Sequence, residues 1–255
     1  MTGRTVDLNA DMGEGFGHYR LDDEALLDVV TSASIACGFH AGDPVVMRDT
    51  VAHAAKRGVA IGAHPGYPDL VGFGRRDLAA TAAEIEAFVV YQIGAMQAVC
   101  TAAGARLRYV KTHGALYNRA ARDTETADAI VRAVLAVDRS LVLLGLAGSA
   151  MIDAAERAGI RSVSEAFVDR AYRNDGTLMP RTQSGAVLTD VETIADRALR
   201  MIDTGQVSAA DGSVITIRVE SLCAHGDGPD AVAIVRSVRM RLESAGVIVA
   251  PFARD

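Results

Sequence analysis

Three cysteines, an odd number and widely spaced, give this 255-residue chain no disulfide framework and suit a reducing, cytoplasmic setting. Basic runs are missing as well. Lys and Arg number 26 against 32 Asp and Glu, a formal net charge of −6, which excludes a protein that lives on the phosphate backbone of nucleic acid. The opening MTGRTVDLNADMGEG contains no apolar stretch long enough for a secretory leader. One uncharged stretch, Ala87 to Ala105, approaches membrane-spanning length over 19 residues. Gln92, Gln97, Thr101 and Gly94 interrupt it, while Ile85, Phe88, Val89, Ile93, Met96, Val99 and Cys100 recur as a helical stripe. A packed helix is expected there and no membrane span. No Pro/Gly/Ser-rich linker divides the chain, and neither a G-x-G-x-x-G turn nor a G-x-x-x-x-G-K-[ST] loop is present. What remains is ordinary globular composition, 50% hydrophobic and 23% charged, expected to form one domain over residues 1–255.

Short apolar runs alternate with helical patterns almost from end to end. Strands are expected at Thr5–Leu8, Ala33–Cys37, Val59–Ala63, Leu107–Lys111, Leu141–Gly145, Arg161–Ala166 and Val214–Val219, with Val247–Ala250 as a candidate eighth. Helices are expected at Asp22–Thr31, Pro44–Arg57, Thr81–Ala103, Thr124–Val137, Ser149–Ala158, Asp190–Asp203 and Pro229–Ala245. Asp43 before Pro44 reads as an N-cap followed by the residue best suited to the first helical position, and Gly58 and Gly159 read as C-terminal caps. This alternation implies an α/β fold with a parallel sheet, closed or open. Polar residues gather just beyond the carboxyl end of nearly every expected strand, where barrel enzymes build their sites, so a (β/α) barrel of seven or eight parallel strands is expected. His64–Leu78 and Phe167–Leu188 are long enough to read as lids or binding loops.

Strand alternation places Asp7 and Asn9 on one face and Val6 and Leu8 on the other. Inward polar groups on an apolar strand are costly unless something uses them. Asp11 and Glu14 follow in what reads as a loop, where turn formation competes with function. IACGFHAGD, GVAIGAHPGYPD, YVKTHGALYN and CAHGDGP each set a histidine within two residues of a glycine after an expected strand: His40, His64, His113 and His225. Their separations of 24, 49 and 112 residues approximate one, two and four β/α units of roughly 30 residues each. Four of six histidines therefore recur at one level of the architecture and are expected to line one site. Lys111 shares a face with His113 and reads as an inward, partly desolvated ammonium. Glu165 and Asp169 share a strand face, and Arg170, Arg75 and Arg181 are candidates for gripping a substrate carboxylate.

Together these stretches resemble the LamB/YcsF family. The matching motifs are DLNADMGEG, SIACGFHAGD, GVAIGAHPGYPD, VKTHGALYN, EAFVDRAY, PRTQSGA at 180–186 and CAHGDG, in order along nearly the whole chain; Thr112 stands where the family usually has proline. The resemblance implies a barrel of the glycoside hydrolase/deacetylase type. It also implies the A-subunit role in an ATP-dependent 5-oxoprolinase, a hydrolase acting on a cyclic amide, which opens 5-oxoproline to glutamate with two partner subunits, B and C. ATP would be co-substrate, at a site the sequence does not identify. Lys111 and the histidines (His113 with His40, His64 and His225) are then the groups for phosphate and oxyanion, and Asp7, Asp11 or Glu165 the base. Asn9, Asp169, Arg170 and Asp227 complete the expected substrate-binding set. Two other readings stay open: a metal-dependent amide hydrolase or deacetylase with a divalent ion on the same carboxylates and histidines, and a noncatalytic substrate-binding subunit.

Overall fold

The computed structural model describes residues 4–19, 21, 23–224 and 230–253. The strands are β1 (Thr5–Met12), β2 (Ser32–Ala36), β3 (Ala60–His64), β4 (Leu107–Val110), β5 (Val142–Leu146), β6 (Ser162–Phe167), β7 (Gln206–Ser208), β8 (Val214–Thr216), β9 (Ser221–Cys223) and β10 (Ile248–Val249). The helices are α1 (Asp23–Leu27), α2 (Pro44–Arg57), α3 (Ala82–Ala102), α4 (Gly114–Ala120), α5 (Thr124–Val137), α6 (Ala150–Ala158), α7 (Val191–Thr204) and α8 (Ala231–Ser244). Strands β1 to β6 pair in sequence order, all parallel; β9 follows β6 and pairs back onto β1. The result is a closed parallel barrel of seven strands with helices around it.

Two expectations need correction. The run 214–219 does not close the barrel: β8 forms an antiparallel hairpin with β7, and the closing strand is β9, which pairs with β1 at Asp7–Asn9 and with β6 at Glu165–Phe167. The β-branched residues of 214–219 make a good strand but a half-exposed one, whereas Ser221, Leu222 and Cys223 are fully buried. Nor does the eighth strand enter the ring: β10 pairs only with Thr5 and Val6, at the start of β1. Helix α4 has no counterpart among the expected elements.

The local signals explain the rest. Asp43 accepts from the backbone N–H groups of Val45 and Val46 and caps α2, which Gly58 ends in the left-handed conformation. Thr81 and Glu84 form a capping box at the start of α3. That helix is long and apolar enough to cross a membrane. Here it lies on the barrel with Ile85, Val89, Ile93, Met96 and Cys100 buried. The buried Gln92 on the same face accepts from the Gly66 N–H at 2.9 Å and donates to the Gly66 carbonyl at 2.8 Å, which pins the loop after β3.

Register decides what fills the barrel. Asp7, Asn9 and Asp11 stand level with Ser221, Cys223, Ser32 and Ser34. Strand β1 continues to Met12, so Asp11 is a third inward strand residue and not a loop residue. Below the polar centre Tyr109 packs with Val142, Leu144 and Val163, and its hydroxyl meets Ser34 Oγ at 3.1 Å. The Tyr109 ring lies over Gly62 so closely that a Cβ there would overlap it. Gly62→Ala is therefore expected to lower stability by about 1–3 kcal/mol through overpacking. Urea unfolding checks this, with Gly62→Ala/Tyr109→Leu recovering part of the loss.

Candidate active site

At the barrel centre Lys111, 1% exposed, is surrounded by groups from opposite strands. Its ammonium donates to Asp11 Oδ1 at 2.8 Å and Asn9 Oδ1 at 3.1 Å, lies 2.9 Å from Glu165 Oε1, and meets Cys223 Sγ at 3.2 Å. Burial pulls such an ammonium down, but the Asp11 and Glu165 carboxylates outweigh it and hold Lys111 well above the ordinary lysine value. Glu165 is in turn fixed by donors from Asn9 Nδ2 at 2.9 Å and the Tyr117 hydroxyl at 2.8 Å. Asp7 lies deeper. Thr31 and Ser32 donate to it at 2.7 and 2.6 Å, and Ser221 also donates. Burial nonetheless pushes its carboxyl up to about 6.

Beside Lys111, at the carboxyl ends of β1, β2, β3 and β4, Glu14, His40, His64 and His113 converge. One ligand atom from each lies within 4.8 Å of the others, and all four side chains are buried. The outer partners fix the ring tautomers. His64 Nδ1 donates to the Lys111 carbonyl at 2.8 Å, and His113 Nε2 donates to the Phe73 carbonyl at 2.9 Å. Their inner nitrogens, His64 Nε2 and His113 Nδ1, stand 3.0 Å apart. Burial, then the neighbouring imidazoles, hold His113 well below the ordinary histidine value, and burial followed by His64 does the same for His40. Two rings thus turn lone pairs toward each other. Glu14 Oε1 lies 3.3 Å from both His40 Nε2 and His113 Nδ1, and Asp11 Oδ2 lies 3.4 Å from His64 Nε2.

The loop 65–81 clamps this cluster. Phe73 takes a left-handed φ of 53°, costly for an aromatic residue, and so delivers its carbonyl to His113. Its ring meets those of His40 and His113 edge-on. Gly74 follows at φ 63°, where a Cβ would fall 2.7 Å from His40 Cβ and 2.8 Å from His113 Cδ2.

A cavity of about 430 Å³ opens above, at the carboxyl ends of the strands. Asp11, His64, Lys111, His113 and Arg170 line it; Asp7, Asn9, His40, Glu165 and Asp169 lie outside its lining. His225 and Asp227 lie outside the described residues. Glu14, in the lining and in the cluster, reads from the sequence only as a loop acid. The signal for it is the flanking Gly13 and Gly15, since Gly13 at φ 66° turns the chain back over the barrel. Tyr117, the anchor of Glu165, sits on the unexpected helix α4.

The LamB/YcsF family model matches residues 6–255. The chain is 52% identical over 251 residues to the first 5-oxoprolinase A subunit of Agrobacterium fabrum, covering 98% of each. A solved structure, that of a lactam utilization protein from Thermus thermophilus, superimposes with a TM-score of 0.91 at 48% identity, covering 97% of this chain and 100% of that one. The catalytic domain of a peptidoglycan N-acetylglucosamine deacetylase from Eubacterium rectale shares the fold at a TM-score of 0.52 and 12% identity, covering 98% of this chain and 89% of that one.

The buried acid Asp7 generates a pH prediction. Its folded value of about 6 stands above the ordinary 3.8, so the folded chain holds this proton more firmly than the unfolded one. Stability then falls as pH rises through that window, by about 3 kcal/mol from this group. Asp7→Asn carries no such proton and is expected to gain on the wild type by about that amount between roughly pH 4 and 7. Urea unfolding at both pH values measures it; a pH-independent difference would contradict the raised carboxyl.

Proposed function

The chain belongs to the LamB/YcsF family, and from that membership and the site we propose that it is the lactam-opening component of an ATP-dependent 5-oxoprolinase. It works with two other subunits and converts 5-oxoproline to glutamate in the cytoplasm. The observation that carries the reading is the pairing of Lys111 with Asp11 on the cavity floor, beside the Glu14 and histidine cluster. Full-length relatives of about half-identical sequence that are named as the A subunit of 5-oxoprolinase support it.

A five-membered lactam is a resonance-stabilised amide and a poor electrophile, which is why its cleavage is coupled to ATP. Lys111, held rigid by Asn9, Asp11 and Glu165, donates a hydrogen bond to the oxygen that gains negative charge as water adds to the ring carbonyl. Asp11 takes the proton from that water and returns it to the departing ring nitrogen. Glu165, bonded by Asn9 and Tyr117, keeps the ammonium aimed and does not itself reach the cavity. Asp7, held by three hydroxyls, supports the floor from below.

The Glu14, His40, His64 and His113 set fits a divalent transition metal. Three imidazoles and one carboxylate suit such an ion, and opposed lone pairs 3.0 Å apart are repulsive unless a cation lies between them. When bound, the metal supplies Lewis acidity to the same carbonyl.

Two measurements test the reading. Lys111→Met, assembled with wild-type partner subunits, is expected to lower ATP-coupled glutamate release from 5-oxoproline about 100-fold or more, by loss of a transition-state donor. Full turnover by this variant would overturn the assignment. Elemental analysis of chain purified without chelator is expected to find about one divalent transition metal per chain, absent from Glu14→Gln/His113→Asn.

A further inference from the structure

Single exposed apolar side chains are ordinary on a protein surface, but a gathering of them marks a place where something binds. Among the described residues ten large apolar side chains are exposed, and six of them fall on one side of the barrel mouth. Phe16 and Tyr19 belong to the loop after β1, and Leu70 and Val71 to the loop after β3. Val45 opens α2, to which the Gly17 N–H ties the first loop by donating to Asp43 at 2.9 Å. Tyr91 on α3 stacks on Phe39 of the loop after β2, with ring centroids 5.2 Å apart. Four of the six tyrosines are buried, and the two exposed ones, Tyr19 and Tyr91, are both here. Because β1, β2 and β3 are neighbours in the ring, these side chains form one apolar arc of the rim.

Val71, 93% exposed, marks the tip of the loop after β3. That tip is braced from below. The buried Asp69 carboxylate accepts from the Gly72 N–H at 3.0 Å and from Arg76 Nε at 2.9 Å, and the Asp69 carbonyl accepts from the Gly74 N–H at 2.9 Å. Gly72 lies so close to this carboxylate that a Cβ there would overlap it. Pro68, Leu70 and Val71 thus project from a rigid turn, and a partner that takes them has little chain entropy to overcome. The rest of the rim differs. Arg75, Arg122 and Arg173 are exposed and Arg181 is half-buried, on the segments after β3, β4 and β6. The cavity they border has seven basic side chains in its lining against three acidic ones, in a chain of net charge −6. One arc of the mouth is therefore apolar and the other basic.

We propose that this face docks a partner subunit of the same enzyme, one that offers an apolar pocket to the 68–71 prong and carboxylates to the basic arc. The inference rests on the lactam-opening reading and adds where the assembly closes, over the cavity mouth, so that docking shuts bulk water out of the site. Charge selects this occupant. A second copy meeting the first through its apolar arc, two-fold related, would set basic arc against basic arc. An anionic membrane is a poorer match, because a lipid surface is met by basic side chains projecting beside the apolar ones, whereas these arginines surround a concavity. A protein surface with complementary acids and an apolar recess satisfies both arcs at once.

Biolayer interferometry of the immobilised full chain against the purified partner subunits, alone and mixed, tests this. Leu70→Glu/Val71→Glu is expected to weaken binding about tenfold or more, since it drives two charges into an apolar pocket. Met240→Glu, a similarly exposed apolar position on α8, is expected to leave binding unchanged. Val71→Lys, matched to an acidic flank, is expected to bind better than Val71→Glu, and added salt is expected to weaken the wild type. In reconstituted turnover the double variant should need about tenfold more chain for half-saturation yet reach the wild-type rate when saturating. Equal affinity of wild type and double variant, or no partner binding by the wild type, would overturn the inference. So would self-association in sedimentation velocity, or co-sedimentation with phosphatidylglycerol vesicles, that the double variant loses. If turnover requires this chain but the double variant saturates like the wild type, only the docking inference fails; if the double variant loses partner binding but 5-oxoproline is opened without this chain, the lactam reading fails.

Discussion

An ammonium in the middle of a barrel is tolerable only if the charges around it replace the water it has lost. Lys111 is in that position. Asp11 on β1 and Glu165 on β6, the two strands that flank β9, approach it within 3 Å, and Asn9 and Tyr117 satisfy the remaining carboxylate and amide valences. Removing one member of such a set leaves an unpaired buried charge, typically at a cost of about 3–5 kcal/mol. The packing of β1, β4, β6 and β9 around this centre is therefore also what aims the reactive groups. Stability and chemistry share the same atoms.

The histidine cluster is organised from outside inward. Backbone carbonyls of Lys111 and Phe73 take the outer N–H groups, which leaves the inner nitrogens as lone pairs. The Phe73 carbonyl reaches its place only through an unfavourable backbone angle, and the loop carrying it is tied to α3 through Gln92. Packing on the far side of the barrel wall thus helps hold a ring in the site.

Much of this is legible in the sequence because parallel strands convert alternation into direction. The phase of Asp7 and Asn9, and that of Lys111 and His113, put these side chains inside, and the glycine-flanked histidines His40, His64 and His113 do meet. The closing strand is not legible: Ser-Leu-Cys is too short to show a pattern, while the longer β-branched run before it suggests the wrong segment. Asp11 and Glu14 are ambiguous for a related reason, since neither the extent of β1 nor the turn at Gly13 follows from alternation. Arg75, Arg170 and Arg181 are legible only as separate candidates, because loop residues from distant segments carry no periodicity and only the closed ring brings them to one cavity.

Fold and site both depend on the coupling between the central ammonium and its carboxylates. The direct measurement is a double-mutant cycle in urea unfolding with Lys111→Met, Glu165→Gln and the two combined. A coupling energy of about 2 kcal/mol or more is predicted, because each single substitution strands a buried partner that the double variant no longer contains. Effects that add to within about 0.5 kcal/mol would contradict it and mark Lys111 as an incidental occupant of the barrel.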